Sequence, residues 1–333
     1  MKSFWPALCV LASINNAHAD VRADIGGIAA TIEANFYDPV RAKQIANDLR
    51  RDAEQGRYAD FTDREAFARE LTRQLRKVDG HFGVRAREPQ TQEQRPPRRR
   101  PPPDSQSNYG FGRIELLPGN IGYIELPHTA HFDVNDRNAP ARLAADAALS
   151  RVRGADAVII DVRNNGGGSP AMVGYLVSAF VPADANVYNT FHRRDGTDTE
   201  RPAIPYSKPM LDVPLYVLTN RGCASAAESI AYTLQQAKRA QIVGERSAGA
   251  ANPGASFAAP NGYSVFIATG TPRNPISGRN WEGTGVTPDV QVDESQALVR
   301  AQELALERIL AKANGAARKD AQSALDALRS QKR

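Results

Sequence analysis

Residues 157–180 read AVIIDVRNNGGGSPAMVGYLVSAF, and this segment is the clearest indication of the fold class. Its first six residues form an almost unbroken apolar run, which is typical of a strand covered on both faces. Three glycines follow, and the pattern predicts a helix over residues 171–180. A buried strand, a glycine turn and a helix in this order indicate a parallel sheet with crossover helices.

The same alternation of strand and helix continues on both sides of this stretch. We therefore predict an α/β domain over residues 109–295 and a C-terminal helical tail over residues 296–333. The other predicted strands are residues 113–117, 121–126, 213–219 and 241–243, and the other predicted helices are residues 139–152 and 224–237.

The N-terminal part has a helical pattern instead. Residues 20–87 predict a small three-helix unit that ends in a short strand, FGVRAR, directly after His81. The clearest helix lies at residues 62–78, where Thr62 and Glu65 have the spacing of a capping box. Its apolar side chains recur on one face, as a packed helix requires.

The first nineteen residues, MKSFWPALCVLASINNAHA, have the pattern of a cleaved export signal. The apolar run is shorter than the roughly 20 residues that a membrane span needs, so we expect a periplasmic or extracellular chain without an integral membrane segment. Removal of the signal leaves Cys223 alone, which excludes an intramolecular disulfide. We expect that thiol to be buried.

The chain carries a formal net charge of +5, and much of the excess lies in one segment, RPPRRRPPP, at residues 95–103. No aromatic side chains are interleaved there to stack on bases, so the segment does not indicate a nucleic-acid partner. We interpret residues 88–108 as an extended linker that cannot form a core. Binding of this linker to an anionic surface stays open.

The segment NRGCASAAESI, at residues 220–230, permits two interpretations of Ser225. Ser225 and Glu228 have the spacing of a capping box at the start of a helix. Alternatively, Ser225 is a nucleophile, in which case it needs a base to activate its hydroxyl. The lysine closest in sequence, Lys238, lies three helical turns away, roughly 20 Å, and we assign it to the helix C-terminus.

The glycines at residues 166–168 can expose backbone N–H groups to a substrate oxygen. Neither a dinucleotide-binding glycine pattern nor a P-loop is present, so phosphate binding has little support. His128 and His131 form an H-x-x-H pair, but this spacing is unspecific and we predict no metal site.

Three separated segments together resemble the tail-specific, C-terminal-processing serine peptidase family. They are DVRNNGGG (161–168), LTNRGCASAAESIAYTLQQAKRAQIVGERSAGAANPG (218–254) and WEGTGVTPDV (281–290). The resemblance is to the branch that includes the interphotoreceptor retinoid-binding protein repeats and the tricorn protease core. It implies Ser225 as the nucleophile, with backbone donors of Gly167 and Ala226 forming the oxyanion hole.

The family activates its serine in two ways, and the resemblance implies the second. Members with a Ser-Lys dyad carry a lysine where this chain has Ala250. Tricorn-like members use a histidine in a motif similar to DGHFGV and a glutamate in a motif similar to WEGTGVTPDV, which implies His81 and Glu282. Those members carry a serine before the histidine, whereas this chain has Gly80.

The resemblance further implies an α/β catalytic core of the crotonase and ClpP-like type, with no PDZ domain, cofactor or metal. The expected activity is that of an exported serine endopeptidase acting on a peptide or protein. Two alternatives stay open: an esterase with the same residues, and a non-catalytic protein that binds an apolar ligand on the same fold. The substrate and the oligomeric state do not follow from the sequence.

Overall fold

The computed structural model describes residues 8–86 and 104–330, and it describes the side chains of residues 21–86 and 105–330. These residues form two compact units. Unit 1 contains the described part of Met1–Arg98 together with His192–Thr197 and Asn252–Thr271. Unit 2 contains the described part of Arg99–Phe191, with Asp198–Ala251 and Pro272–Arg333.

The described residues contain helices α1 to α8 and strands β1 to β12. The helices are α1 (Leu8–Asn35), α2 (Pro39–Glu54), α3 (Arg64–Leu75), α4 (Pro140–Val152), α5 (Pro170–Ser178), α6 (Ala226–Gln236), α7 (Glu294–Leu310) and α8 (Gly315–Ser330). The strands are β1 (Gly83–Ala86), β2 (Ile114–Leu117), β3 (Ile121–Glu125), β4 (Ala157–Asp161), β5 (Thr190–Arg193), β6 (Thr197–Thr199), β7 (Leu215–Thr219), β8 (Gln241–Gly244), β9 (Gly254–Ala259), β10 (Tyr263–Ala268), β11 (Gly270–Arg273) and β12 (Val290–Gln291).

Unit 1 packs the helices α1, α2 and α3 against an antiparallel sheet in the order β1-β10-β9. Apolar side chains of α1 at Ile25, Ile28 and Ile32 recur at helical spacing and are buried. They share one core with Val265 and Ile267 of β10. The helical unit predicted for the N-terminal part thus packs on a hairpin, β9 and β10, that comes from much later in the chain.

Unit 2 is built on a six-stranded sheet in the order β12-β8-β7-β4-β3-β2. The strands β3, β4, β7, β8 and β12 pair in parallel, and β2 joins the edge in the antiparallel direction.

Both faces of the large sheet are covered, which explains its near-continuous apolar strands. In β4, Val158 and Ile160 pack with α4, α5 and α6 on one face. Ala157 and Ile159 alternate with them and pack with α7 and α8 on the other face. The prediction of an α/β fold, with a helical N-terminal part and a sheet core, is confirmed.

One detail of the N-terminal prediction is wrong. The residue that caps α3 is Asp63, not Thr62, because the Asp63 side chain accepts a hydrogen bond from the backbone N–H of Ala66 at 2.6 Å. Both residue types favour this position, and a carboxylate also interacts well with the positive end of the helix.

Two predicted segments lie partly outside the described residues. Residues 1–7 of the predicted export signal, and the side chains of residues 8–20, are outside the description. The same holds for residues 87–103, which include most of the predicted linker. Within the part of the chain that is described, no helix is both long and apolar enough to cross a membrane.

Candidate active site

Ser225 lies at the first turn of α6 in unit 2, after β7 and a short connecting loop, and it is exposed. Its backbone has φ 55° and ψ −119°, a conformation that non-glycine residues rarely adopt. Such strain persists only where the surroundings enforce it, and it is concentrated at functional sites. A sharp, strained turn between strand and helix is one way in which folds expose a nucleophilic serine.

Two neighbours hold the backbone of Ser225 in this strained conformation. Its N–H lies 3.1 Å from the carbonyl oxygen of Ala250 and 2.9 Å from Oε2 of Glu228. Glu228 therefore contributes the predicted carboxylate-to-backbone contact of a capping box at the start of α6.

Glu228 does more than cap the helix. Its buried carboxylate also accepts hydrogen bonds from the hydroxyl of Ser247 at 2.5 Å and from the backbone N–H groups of Gly249 and Ala250 at 2.7 and 2.8 Å. Four donors thus converge on one carboxylate. Glu228 fixes the loop of residues 247–250 beside Ser225, a role that the sequence did not indicate.

Two of the glycines at residues 166–168 lie close to neighbouring loops, and Gly167 lies against this serine. A Cβ atom added to Gly167, which has φ 109°, would lie 2.7 Å from Cβ of Ser225. A Cβ atom on Gly168, which has φ 140°, would lie 2.1 Å from the carbonyl oxygen of Thr129. Both positions require glycine, because a side chain would meet atoms of the neighbouring loops and because φ is positive.

Asn165 anchors the glycine turn and is fully buried. Its Nδ2 donates to the carbonyl oxygen of Leu126 at 2.7 Å, and its own carbonyl oxygen accepts from the N–H of Ala224 at 3.0 Å. Its Oδ1 accepts from the N–H of Gly167 at 2.8 Å. The amide of Gly167 therefore already has a partner inside the protein.

Glu282 lies in the turn of residues 281–285, which contacts residues 249–251 of unit 2. Its Oε2 accepts a hydrogen bond from the backbone N–H of Ala251 at 2.9 Å. The N–H of Gly283 donates to the carbonyl oxygen of Gly249 at 2.8 Å. Within unit 2, residues 249–251 thus connect the backbone of Ser225 to the side chain of Glu282.

His81 lies in unit 1, in the turn between α3 and β1. Its Nδ1 is 3.2 Å from Oδ1 of Asp79, and its backbone N–H donates to the same oxygen at 2.9 Å. Burial alone would raise the pKa of Asp79, but the hydrogen bonds from His81 outweigh it and hold that pKa below its usual value. The sequence pattern did not single out Asp79.

Three other side chains considered in the sequence analysis, those of Cys223, His131 and Lys238, have structural roles. Cys223 is buried as predicted, its Sγ donates to the carbonyl oxygen of Val162 at 2.9 Å, and burial raises its pKa to about 12. His131 has its Nδ1 3.2 Å from the hydroxyl of Ser169, which caps α5. Lys238 lies beyond the far end of α6 from Ser225.

Four of the five predicted site residues, Ser225, Ala226, Gly167 and Glu282, therefore lie in unit 2, and His81 lies in unit 1. The residues that sequence reasoning missed are Asn165 and Asp79, and for Glu228 it missed the contacts to residues 247–250. Their signals were weak, because asparagine beside glycine is typical of any turn and an aspartate after a helix is common on surfaces.

Two known proteins of similar sequence are named as processing enzymes. The "C-terminal processing peptidase, chloroplastic" of Tetradesmus obliquus is 32% identical over 192 residues, which cover 54% of this chain and 37% of that protein. The "Carboxyl-terminal-processing protease" of a Picosynechococcus strain is 28% identical over 176 residues, which cover 52% and 39%. The chain thus matches less than two fifths of the length of these relatives.

A solved structure extends the comparison of the fold. A lipoprotein from Streptococcus agalactiae is 17% identical, with a TM-score of 0.53, and the match covers 93% of this chain and 99% of that one. At this identity the likeness concerns the fold alone.

The family model described as "Peptidase family S41" matches residues 120–292, just over half of the chain. The matched part contains the glycine turn, Ser225 and Glu282, and it includes all three segments on which the resemblance rests. The chain belongs to peptidase family S41.

Proposed function

We propose that this chain is a serine endopeptidase whose nucleophile is Ser225. The observation that carries the proposal is the backbone of Ser225, which is exposed, strained at positive φ and held there by Ala250 and Glu228. A residue that only caps a helix adopts ordinary extended backbone and needs no such support. Membership of peptidase family S41 supports the same chemistry.

In the proposed mechanism, the hydroxyl of Ser225 attacks the carbonyl carbon of a peptide bond while His81 accepts its proton. His81 then donates that proton to the leaving amine, and water releases the acyl group by the same steps in the second half of the reaction. The resemblance assigns Glu282 as the acid that orients the imidazole. Its hydrogen bond from Ala251 is compatible with this role, because a carboxylate accepts several hydrogen bonds.

The oxyanion would be stabilised by backbone donors at the start of α6 and in the glycine turn. Ala226 is the first residue of α6, so its N–H has no partner within the helix and lies at the positive end of the helix dipole. In the glycine turn, the amide of Gly167 donates to Asn165. We therefore assign the second donor to the backbone of the Gly167–Gly168 pair, with the Gly167 amide turning from Asn165 to the substrate.

A Ser-Lys dyad of the kind found elsewhere in the family is disfavoured by Ala250. This residue lies where dyad members carry their lysine, and its carbonyl oxygen is 3.1 Å from the backbone nitrogen of Ser225. The position is therefore beside the nucleophile, and it holds a methyl group. A histidine base is the remaining option that the resemblance offers.

The proposed substrate is a peptide or protein, because the similar proteins are named as processing peptidases. We further infer that the peptidase acts outside the cytoplasm, on the basis of the signal-like pattern in the first nineteen residues.

The proposal is tested by covalent labelling of the full chain with a fluorophosphonate probe, which reacts with activated serines. We expect labelling that is lost in Ser225→Ala and strongly reduced in His81→Gln, because the two groups act as a unit. Ser256→Ala, which removes an exposed hydroxyl in β9, is the matched control and should label normally. Equal labelling of Ser225→Ala and the unmutated chain would refute the assignment.

Absence of labelling in the unmutated chain would instead favour the alternative of a non-catalytic protein that binds an apolar ligand. Cleavage of internally quenched peptides, compared with hydrolysis of simple esters, separates the peptidase from an esterase. Peptides blocked at both ends test the endopeptidase assignment, because an exopeptidase requires a free terminus.

A further inference from the structure

The turn between α3 and β1 carries an acid that has no role in the mechanism proposed for Ser225. Asp79 lies four residues after the end of α3, and its backbone N–H still donates to Leu75 at 3.1 Å. Its own carbonyl oxygen accepts from the N–H of Phe82 at 3.2 Å, and Phe82 is buried in the core of unit 1. The backbone of Asp79 is therefore fixed from both sides.

The carboxylate of Asp79 is directed at His81 by two contacts on one oxygen. Oδ1 accepts from the backbone N–H of His81 at 2.9 Å and lies 3.2 Å from Nδ1 of its imidazole. The first contact alone would be an ordinary turn in which aspartate binds the backbone two residues later. The second contact involves the ring and is not needed for such a turn.

The other carboxylate oxygen has a partner of its own. Oδ2 accepts from Nδ2 of Asn252, also in unit 1, at 3.1 Å. The Asp79 side chain is only 4% exposed and that of His81 is 17% exposed. A buried carboxylate that is held at both oxygens has little freedom to turn away from the ring, and burial strengthens its interaction with the imidazole.

A carboxylate at Nδ1 determines which nitrogen of a neutral imidazole carries the proton. Because a carboxylate only accepts hydrogen bonds, the proton is placed on Nδ1 and the lone pair on Nε2. Nε2 is then the nitrogen that can take a proton from a nucleophile. The same carboxylate stabilises the imidazolium that forms after the transfer.

Gly80, the residue between Asp79 and His81, makes the contact between their side chains more important. Members of the resembling branch carry a serine before the histidine, and this chain has Gly80, which has no hydroxyl to orient the ring. A Cβ atom added to Gly80 would have no other atom within 4 Å, so the glycine leaves space beside the turn. The hydrogen bond with Asp79 then orients the imidazole of His81, as the missing serine hydroxyl would otherwise do.

We propose that Asp79 is the positioning residue that fixes the tautomer and the orientation of His81. The proposal rests on the proposed function for its catalytic consequence, whereas the contact itself is a property of unit 1. Glu282 is the acid that the resemblance implies for this role. If Asp79 has the role, Asp79→Asn should shift the titration midpoint of His81, whereas if Glu282 has it, Glu282→Gln should do so.

Two further ionisable side chains of unit 1 lie near Asp79. Burial, followed by the charge of Asp79, raises the pKa of Tyr37. Arg41 donates from Nη2 to the carbonyl oxygen of Val78 at 2.7 Å. Neither of these contacts replaces the hydrogen bonds between Asp79 and His81, and both residues are kept unchanged in the test.

The first measurement uses the unmutated full chain labelled with ¹⁵N. Histidine side-chain spectra identify His81 by the signal that disappears in His81→Gln, and the two-bond couplings of its ring report the tautomer. We expect the neutral ring to carry its proton on Nδ1. A proton on Nε2 would overturn the proposal without any variant of Asp79 having to fold.

The second measurement compares Asp79→Asn with Glu282→Gln. Loss of the Asp79 charge should lower the titration midpoint of His81 by about one pH unit or more. Fluorophosphonate labelling at pH 7 should slow by on the order of 10²–10⁴-fold, and Asp79→Glu should restore part of the rate. A midpoint that moves in Glu282→Gln but not in Asp79→Asn would overturn the proposal.

Asp63→Asn is the matched control, because it removes one carboxylate from unit 1 and asparagine is an equally good helix cap. Its His81 midpoint should equal that of the unmutated chain, and an equal shift in both variants would count against a specific contact. If the unmutated chain does not label, the proposed function fails, while the tautomer and the midpoint still decide the role of Asp79.

Discussion

Oε2 of Glu228 lies 2.9 Å from the backbone nitrogen of Ser225, three residues earlier in the chain. The same oxygen accepts from the N–H of Ala250 at 2.8 Å, and the carbonyl oxygen of Ala250 accepts from Ser225 in turn. Two residues at the start of α6 and one from the loop after β8 are thus closed into one hydrogen-bonded ring. The strained backbone of Ser225 is a consequence of this ring rather than of its own preference.

Glu228→Gln should destabilise the chain and disturb Ser225. A carboxamide has one acceptor oxygen and one NH₂ group, so two of the four donors that meet Glu228 would face a donor instead. Unpaired buried groups cost roughly 1–3 kcal/mol each. We expect the free energy of unfolding, measured in urea, to fall by about 2–4 kcal/mol, together with slower fluorophosphonate labelling.

Glu245→Gln is the control for this change. Glu245 forms an ion pair with the highly exposed Arg221 at 3.5 Å, and such pairs contribute little. Its free energy of unfolding should change by less than about 0.5 kcal/mol. Equal losses in the two variants would show that the four contacts of Glu228 stabilise the chain no more than one exposed ion pair does.

Much of unit 2 was predictable from the sequence because its strands and helices repeat a strong local pattern. The strand over residues 157–162 and the helix over residues 171–180 appear as β4 and α5 with small shifts at their ends. Burial on both faces makes such strands continuously apolar, so they are recognisable without knowledge of their partners.

The hairpin of β9 and β10 was not predicted. Strand β9 reads GASFAA, and small residues give neither the alternation nor the β-branched side chains that indicate a strand. The place of the hairpin in the sheet of unit 1 depends on the pairing of β10 with β1, whose residues lie far apart in the chain, such as Val84 with Val265. Local patterns contain no information on such pairing.

The site shows the same division between local and distant contacts. The spacing of Ser225 and Glu228 predicted one contact of the capping box, because that contact joins neighbouring residues. The contacts from Glu228 to Ser247 and Gly249 bridge 19 and 21 residues, and they follow only from the folded chain. The contact between Asp79 and His81 is local, but aspartate two residues before histidine is too common a pattern to be specific.

Gly167→Ala tests whether the glycine turn supports the geometry of Ser225. The added methyl group would lie 2.7 Å from Cβ of Ser225, and alanine is strained at φ 109°. We expect the free energy of unfolding to fall by at least about 2 kcal/mol and fluorophosphonate labelling to be largely lost, since either the turn or the serine must move.

The neighbouring glycine gives a matched control for that variant. Gly166 has no atom within 4 Å of an added Cβ and no positive φ, so Gly166→Ala should change the free energy of unfolding by less than about 1 kcal/mol. Similar losses in both variants would mean that the turn tolerates a side chain at neither position. The loss in Gly167→Ala would then not depend on the contact with Ser225.

A buried acid behind α6 gives the last prediction. Glu200 accepts hydrogen bonds from the hydroxyl of Ser229 at 2.7 and 2.8 Å and from Nδ2 of Asn189 at 2.9 Å. Burial raises its pKa to about 7, although these hydrogen bonds oppose the shift. Ser229 belongs to the helix that begins beside Ser225, so Glu200 contacts that helix directly.

The direction of the pH dependence follows from the raised pKa. Between about pH 4.5 and pH 7 the folded chain keeps a proton on Glu200 that the unfolded chain has released, so the contribution of this residue to stability declines as pH rises through that range. Glu200→Gln keeps a neutral side chain at every pH. Relative to the unmutated chain, the variant should therefore gain on the order of 1–3 kcal/mol between pH 5 and pH 8.

Urea unfolding at several pH values measures this difference, and only the change with pH is diagnostic, because the carboxamide also alters the contact with Ser229. Glu307→Gln is the control, since Glu307 is exposed and pairs with Arg329 at 2.9 Å. Its profile should run parallel to that of the unmutated chain. A parallel profile for Glu200→Gln as well would mean that Glu200 is already ionised throughout this range, and that its hydrogen bonds, rather than its burial, determine its charge.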